Sequence, residues 1–143
     1  MWLEELKALY TGYIEKVSRL EMAKKPADGL LGFGKKISDD PCHEAFAEEL
    51  EALLERFAQA GPSSEEVRRV LSFVYHAPAA YSEPASAYWM LNAVQGLTQE
   101  LVKVLSREDA LKLLRQYEED IPRSQRLPVQ KKVGKALKAA AKK

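Results

Sequence analysis

Apolar residues recur three and four positions apart along most of the chain, which is the spacing of amphipathic helices. The stretch 82–105 carries the strongest pattern, and from 85 to 104 its only charged residues are Glu100 and Lys103. One stripe consists of Ala87, Leu91, Val94, Leu97, Leu101 and Val104, and a second strip consists of Trp89, Ala93 and Gly96. A helix that is apolar on more than one side is buried by its neighbours. We therefore predict a central buried helix at about 83–105, with the other helices packed around it.

Four further segments each show a single apolar stripe, as helices at the surface of a domain do. They run over 2–23, from Asp40–Pro41 to Gly61–Pro62, from Ser63 or Ser64 to just before Pro78, and from Ser106 to Pro122. Ser63 and Glu66 have the spacing of a capping box, and Gly61–Pro62 is a strong stop signal. No segment shows the alternation of a strand. The fold class is therefore predicted as all-α, with five helices in an antiparallel, bundle-like domain.

The segment 24–40 interrupts this helical pattern and contains Pro26, Gly29, Gly32 and Gly34, so we predict a long loop there. Its Gly29–Lys35 stretch fits the spacing of a phosphate-binding loop. However, Lys36 follows where a Ser or Thr is required, and a helix rather than a strand precedes the loop. We interpret the segment as a turn whose apolar residues cover the core and expect no nucleotide cofactor. Whether the loop has a function stays open, although loops of this length often do.

Charge is distributed unevenly along the chain. Residues 123–143 contain eight Lys or Arg residues and no acidic residue, which leaves 14 basic and 21 acidic residues in 1–122, a net charge of −7. The last stretch is also amphipathic, with Val129, Val133, Leu137 and Ala140 on one side. We therefore predict a helical domain over 1–122 and a basic C-terminal extension, or sixth helix, over 123–143.

The basic extension is the strongest indication of a binding function. The residues predicted to contact nucleic acid or an acidic partner are Arg123, Arg126, Lys131, Lys132, Lys135 and Lys138. No aromatic residue follows Tyr117, so nucleic-acid binding would depend on phosphates and be largely blind to sequence. The same charge also suits a protein partner, the acidic body of this chain or an anionic membrane surface.

A second candidate region is the turn between Tyr75 and Trp89. His76, Tyr81, Glu83 and Trp89 are the candidate ligand-binding residues, with His76 as an acid–base group between aromatic walls. The alternative, which we favour, is structural. His76 then compensates a helix dipole at a C-terminus, and the aromatic rings close one end of the bundle.

Other chemistry finds little support in the residue pattern. The stretch Asp39–Glu44 brings together carboxylates, a thiol and an imidazole, but at a spacing that does not converge on a metal, so we predict no metal site. The lone Cys42 excludes an internal disulfide. No nucleophile motif is present, and therefore we assign no catalytic residues and favour a protein that is not an enzyme.

The N-terminus carries acidic residues where a signal peptide has basic ones, and polar residues interrupt the apolar run of 82–105, so we predict no transmembrane segment. We expect a cytoplasmic, non-enzymatic interaction or regulatory protein that binds a protein partner or associates with itself through the first helix or the extension. A small-ligand or catalytic helical domain at the Tyr75–Trp89 turn is one alternative. A nucleic-acid accessory protein acting through the lysine-rich extension is another.

Overall fold

A computed structural model of the chain describes residues 2–31, 41–81, 83 and 85–142, without the side chains of 20–31, 41, 85, 86 and 123. Every element in these ranges is helical, so the all-α fold class is confirmed. The α-helices are α1 (Trp2–Leu31), α2 (Pro41–Gln59), α3 (Ser64–Ala80), α4 (Ala85–Ala93), α5 (Gln99–Val102), α6 (Arg107–Asp120) and α7 (Pro128–Ala141); 3₁₀ turns occupy Val94–Thr98 and Arg123–Gln125. Within these ranges, no helix has both the length and the apolarity to cross a membrane.

The starts and buried faces of several helices agree with the sequence pattern. The Ser63 side chain accepts a hydrogen bond from the Glu66 N–H, and the Glu66 side chain accepts one from the Ser63 N–H, which is the predicted capping box. Ser106 caps α6, where its side chain accepts a hydrogen bond from the Asp109 N–H and its own N–H donates to Ser64 Oγ. The predicted stripe of α2 is buried throughout, at His43, Phe46, Leu50, Leu53 and Phe57.

Two predicted helix ends are wrong. Helix α1 continues to Leu31, so 24–31 are not a loop, whereas 32–40 lie outside the described residues. Helix α3 includes Pro78 and ends only at Ala80. A proline removes one backbone donor and leaves those of its neighbours. In α3 the Pro78 ring is buried, and the Tyr81 N–H donates to the Ala77 carbonyl at 2.8 Å to close the last turn.

The predicted central helix is not confirmed, because 85–102 forms α4, a 3₁₀ turn and α5 instead of one helix. Polar side chains bond to backbone carbonyls along this segment. The Asn92 amide donates to the Tyr88 carbonyl at 2.8 Å, and the Thr98 hydroxyl donates to the Gln95 carbonyl at 2.8 Å. Such bonds compete with a regular helix. The segment does contact α1, α2, α3 and α7, but Trp89 and Val104 of the predicted apolar strips are 47% and 43% exposed.

Helices α3 and α6 run parallel, which corrects the expected antiparallel arrangement for this pair. Three polar contacts join them in the same order along both helices: Ser64 Oγ to Asp109 Oδ2 at 2.6 Å, Ser72 Oγ to Gln116 Oε1 at 2.9 Å, and His76 Nδ1 to Asp120 Oδ2 at 3.2 Å. The physical reason is the connection, since 85–105 returns the chain to the starting end of α3 before α6 begins.

The basic C-terminal segment contributes a helix to the same core. Helix α7 packs most extensively against α6 and also against the 3₁₀ turn of 94–98. The side chains that face inward are exposed by 3% or less, and they are Gln130, Val133, Leu137 and Ala140. The apolar face predicted for this stretch is therefore buried within the molecule.

Helix α7 lies close to the interrupted segment 85–102 at Gly96. A Cβ atom on Gly96 would lie 2.4 Å from Cγ2 of Val129. Because Val129 is stiff at χ1, we expect Gly96→Ala to lower the free energy of unfolding by about 1–3 kcal/mol. Gly12→Ala in α1 is the matched control, since nothing lies within 4 Å of its Cβ position. There we expect a gain of up to about 1 kcal/mol. Urea denaturation measures both, and a gain in both variants would contradict the close approach.

Candidate functional site

A cleft of about 290 Å³ lies beside α7, and its lining carries only positive charge. Its walls are Arg126, Lys131, Gly134, Lys135 and Lys138. The positions 131, 134, 135 and 138 are three and four residues apart, so they share one face of α7. Arg126 precedes the helix and reaches the same face. Four cationic side chains thus surround one opening.

Arg126 is held in place by two contacts. Its Nε donates to the Ile121 carbonyl at 2.9 Å, and its guanidinium carbon lies 5.2 Å from the centre of the Tyr117 ring, a cation–π distance. Its Nη2 is buried without a hydrogen-bond partner among the described residues. The guanidinium is therefore positioned by its neighbours but retains unused capacity to donate.

Gly134 makes room for this arginine. A Cβ atom on Gly134 would come within 2.8 Å of Arg126 Nη1. A glycine in the interior of a helix is less favourable than alanine by about 1 kcal/mol. The absence of a side chain at this position therefore has a structural consequence: it allows the guanidinium to lie directly against the helix backbone.

No carboxylate neutralises the cleft within the part of the chain that the structure describes. The ion pairs found there involve Arg56, Arg68, Arg69, His76 and Lys103, and none involves Arg126 or a lysine of α7. The extension thus packs on the body through its apolar face, while Lys131, Lys132 and Lys135 are exposed and Lys138 is partly exposed.

Four of the six predicted contact residues meet at this cleft. They are Arg126, Lys131, Lys135 and Lys138. Lys132 is exposed on α7 but is not part of the cleft lining. Arg123 lies in the second 3₁₀ turn, and its side chain is outside the described residues. The sequence did not indicate a role for Gly134, because that role depends on the contact with Arg126, which only the structure shows.

The predicted site at the Tyr75–Trp89 turn is only partly assembled. His76 is exposed and lies 3.2 Å from Asp120; Tyr81 is partly buried against the core, Glu83 is exposed and Trp89 is 47% exposed. A cleft of about 120 Å³ does open nearby, but none of the four lines it. Its walls are Tyr75, Pro78, Ala79, Tyr88, Asn92, Asp120, Ile121, Gln125 and Gln130. This volume is below the several hundred Å³ of ordinary small-molecule sites.

Beside the smaller cleft, whose walls include Asn92 and Gln130, lies a buried polar network centred on Gln95, which is fully buried. The Tyr117 hydroxyl donates to Gln95 Oε1 at 2.6 Å, and Gln130 Nε2 donates to Asn92 Oδ1 at 2.6 Å. Such satisfied networks give a core a single arrangement. The sequence feature that could have predicted this network is the recurrence of polar residues every three positions in an apolar run, at Asn92, Gln95 and Thr98.

Burial affects the tyrosines of the core. Burial raises the pKa of Tyr10 and Tyr75 well above the ordinary tyrosine value. Burial also raises the pKa of Tyr117, and the nearby Tyr75 adds to the effect while Arg126 opposes it. The Tyr75 hydroxyl is hydrogen-bonded to Thr98 at 2.7 Å, whereas the Tyr10 hydroxyl has no partner among the described residues.

A larger opening, of about 500 Å³, lies between α1 and α2. Its lining is mostly apolar, with one cation and one carboxylate, from Lys16 and Glu49. The two charges offset each other, so the opening does not select a charged ligand. Gly29 lies in α1, whereas 32–35, Asp39 and Asp40 lie outside the described residues, and Cys42, His43 and Glu44 belong to the start of α2. Within the described part, no group of three His, Cys, Asp or Glu side chains is placed to hold a metal ion.

No protein-family model, curated protein or solved structure matches this chain. The function is therefore argued from the geometry of the basic cleft and from the distribution of charge.

Proposed function

We propose that this is a cytoplasmic, non-enzymatic interaction protein that binds an acidic segment of a protein partner on the basic face of α7. The observation that carries the proposal is the cleft lined by Arg126, Lys131, Lys135 and Lys138, which contains no carboxylate. Like charges placed together without counter-charges repel each other, and an anionic partner relieves that repulsion.

The buried apolar faces favour a charged contact over an apolar one. On α1 the stripe of Leu6, Tyr10, Tyr13 and Val17 is buried, and on α7 Val133 and Leu137 are fully buried. These four residues of the α1 stripe are therefore not available to a partner. An amphipathic helix binds a bilayer through its apolar face. Because that face of α7 packs on α6, we do not propose membrane insertion.

Two features favour a protein partner over nucleic acid. Residues 1–122 carry a net charge of −7, which repels a long polyanion everywhere except near α7. The basic stripe from Lys131 to Lys142 is also short, since eleven residues of helix extend only about 16 Å. It suits a few acidic side chains better than an extended phosphate backbone.

The proposal is tested by reversing charge at the cleft. The double variant Lys131→Glu/Lys135→Glu is expected to weaken binding of a fluorescent glutamate-rich peptide by about tenfold or more. The matched control is Lys112→Glu/Arg115→Glu, two exposed residues of α6, which changes the net charge equally but leaves α7 and the cleft lining intact. It is expected to retain affinity within about threefold. Fluorescence anisotropy at several salt concentrations measures both.

If the two double variants lost the same amount of affinity for the peptide, net charge alone would explain the effect, and the proposed site would be overturned. The same titrations are run with duplex DNA and with single-stranded RNA. Tighter binding of either nucleic acid than of the acidic peptide, at the same salt, would replace the proposed protein partner with nucleic acid. Sedimentation velocity on the free protein checks whether the acidic partner is a second copy of this chain.

A further inference from the structure

We infer that the cleft between Arg126 and α7 binds a phosphoryl group, such as the side chain of a phosphorylated serine in an acidic partner. This inference rests on the proposed function and makes it more specific. It concerns the chemistry of the group that enters the cleft, whereas the proposed function concerns the class of partner.

The first argument is charge. Arg126, Lys131, Lys135 and Lys138 place four cations around one opening without a carboxylate. A single carboxylate carries one negative charge and would leave most of this charge unneutralised. A phosphomonoester carries about −1.5 to −2 charges near neutral pH and presents three acceptor oxygens. It is therefore a better match for several cations that line one cleft.

The second argument is the position of the arginine. The Ile121 carbonyl, at 2.9 Å, and the Tyr117 ring hold the guanidinium at the wall of the cleft. An arginine that is already ordered loses little entropy when it binds, and its planar fork suits phosphate oxygens. None of the ion pairs among the described residues involves Arg126, so a ligand does not have to displace a carboxylate from the guanidinium.

The third argument is Gly134, whose missing side chain admits the guanidinium to this position. Because a Cβ atom there would lie 2.8 Å from Arg126 Nη1, Gly134→Ala displaces the far end of a flexible side chain. It does so without changing a charge. The variant therefore separates a built site from a diffuse positive surface, which charge variants alone do not.

The test uses inorganic phosphate and O-phosphoserine as probes, with succinate as a dicarboxylate of similar charge, all at matched ionic strength. Shifts of the backbone amides of α7 in ¹⁵N–¹H correlation spectra report binding. We expect phosphate and phosphoserine to bind about tenfold or more tightly than succinate at about pH 7.5. The preference for O-phosphoserine should shrink at about pH 5.5, because the second ionisation of a phosphomonoester lies at about pH 6.

Gly134→Ala is expected to weaken phosphate binding by about tenfold, while Gly12→Ala, the same change in α1, stays within about twofold. Urea denaturation establishes that Gly134→Ala remains folded. If it does not, Arg126→Lys, which keeps the charge but removes the guanidinium from its place against Gly134, provides the comparison. Equal affinity for succinate and phosphate, or phosphate binding that is insensitive to both variants, would overturn the inference.

The outcomes separate this inference from the proposed function. Binding of the glutamate-rich peptide at the cleft without a preference for phosphate leaves the proposed function standing and overturns only the phosphoryl assignment. Failure of both probes overturns both. An acidic peptide with one phosphoserine is expected to bind about tenfold more tightly than its serine counterpart. An RNA oligonucleotide that binds more tightly still, and is sensitive to Gly134→Ala, would overturn the assignment to a phosphorylated protein.

Discussion

Leu137→Ala is expected to lower the free energy of unfolding by about 2–5 kcal/mol. Leu137 lies on α7 and has no exposed surface, so truncation removes buried methyl groups and leaves a cavity. Urea denaturation followed by circular dichroism measures the change. The matched control is Leu111→Ala on α6, where the leucine is 39% exposed. A surface substitution of this kind is expected to change stability by about 0.5 kcal/mol or less.

Similar effects of the two leucine variants would contradict the packing of α7 in the core. The packing of α7 in the core also determines which variants are suitable for binding experiments.

A chain that ends at Pro122 lacks Val133 and Leu137 and exposes the polar network around Gln95. We expect such a chain to be largely unfolded, because exposing that much buried surface exceeds the marginal stability of a domain. Charge variants of the intact chain are therefore the informative ones.

Raising the pH above 10 is expected to unfold the protein steeply. The pKa values of Tyr10, Tyr75 and Tyr117 are raised by burial. In the unfolded chain these tyrosines lose their protons near pH 10, whereas in the folded protein they keep them. Folded protein then binds more protons, so stability is fully present below about pH 10 and falls as the pH rises. Three groups give a slope of up to about 4 kcal/mol per pH unit.

Two single variants check the origin of this slope. Tyr10→Phe and Tyr75→Phe each remove one titrating hydroxyl and should each reduce the alkaline slope by about one third. At neutral pH they should differ. Tyr75→Phe loses a hydrogen bond to Thr98 and is expected to cost about 1 kcal/mol, whereas Tyr10→Phe removes an unpartnered buried hydroxyl and should be neutral or stabilising. Slopes equal to that of the wild type in both variants would exclude these tyrosines as the cause.

The candidate site illustrates what spacing along one helix predicts. Lys131, Lys135 and Lys138 share a face of α7 because they are three and four residues apart, and that follows from the sequence. The absence of acidic residues from 123–143 is also evident from the sequence. The cleft itself depends on Arg126, which precedes the helix, and on Gly134, which allows its guanidinium to approach. That contact depends on how the chain turns before α7, which residue spacing does not specify.

The sequence by itself determined the all-α class, the apolar faces of α2, α3, α6 and α7, and the caps at Ser63 and Ser106. These features depend on neighbours within one turn of helix, so local spacing contains the information. The tertiary structure alone decided that 85–102 is interrupted, that α3 and α6 run parallel and that Gln95 joins Tyr117 to Gln130. The parallel pairing and the Gln95 links depend on partners twenty or more residues away, whose approach is set by the packing of the whole core.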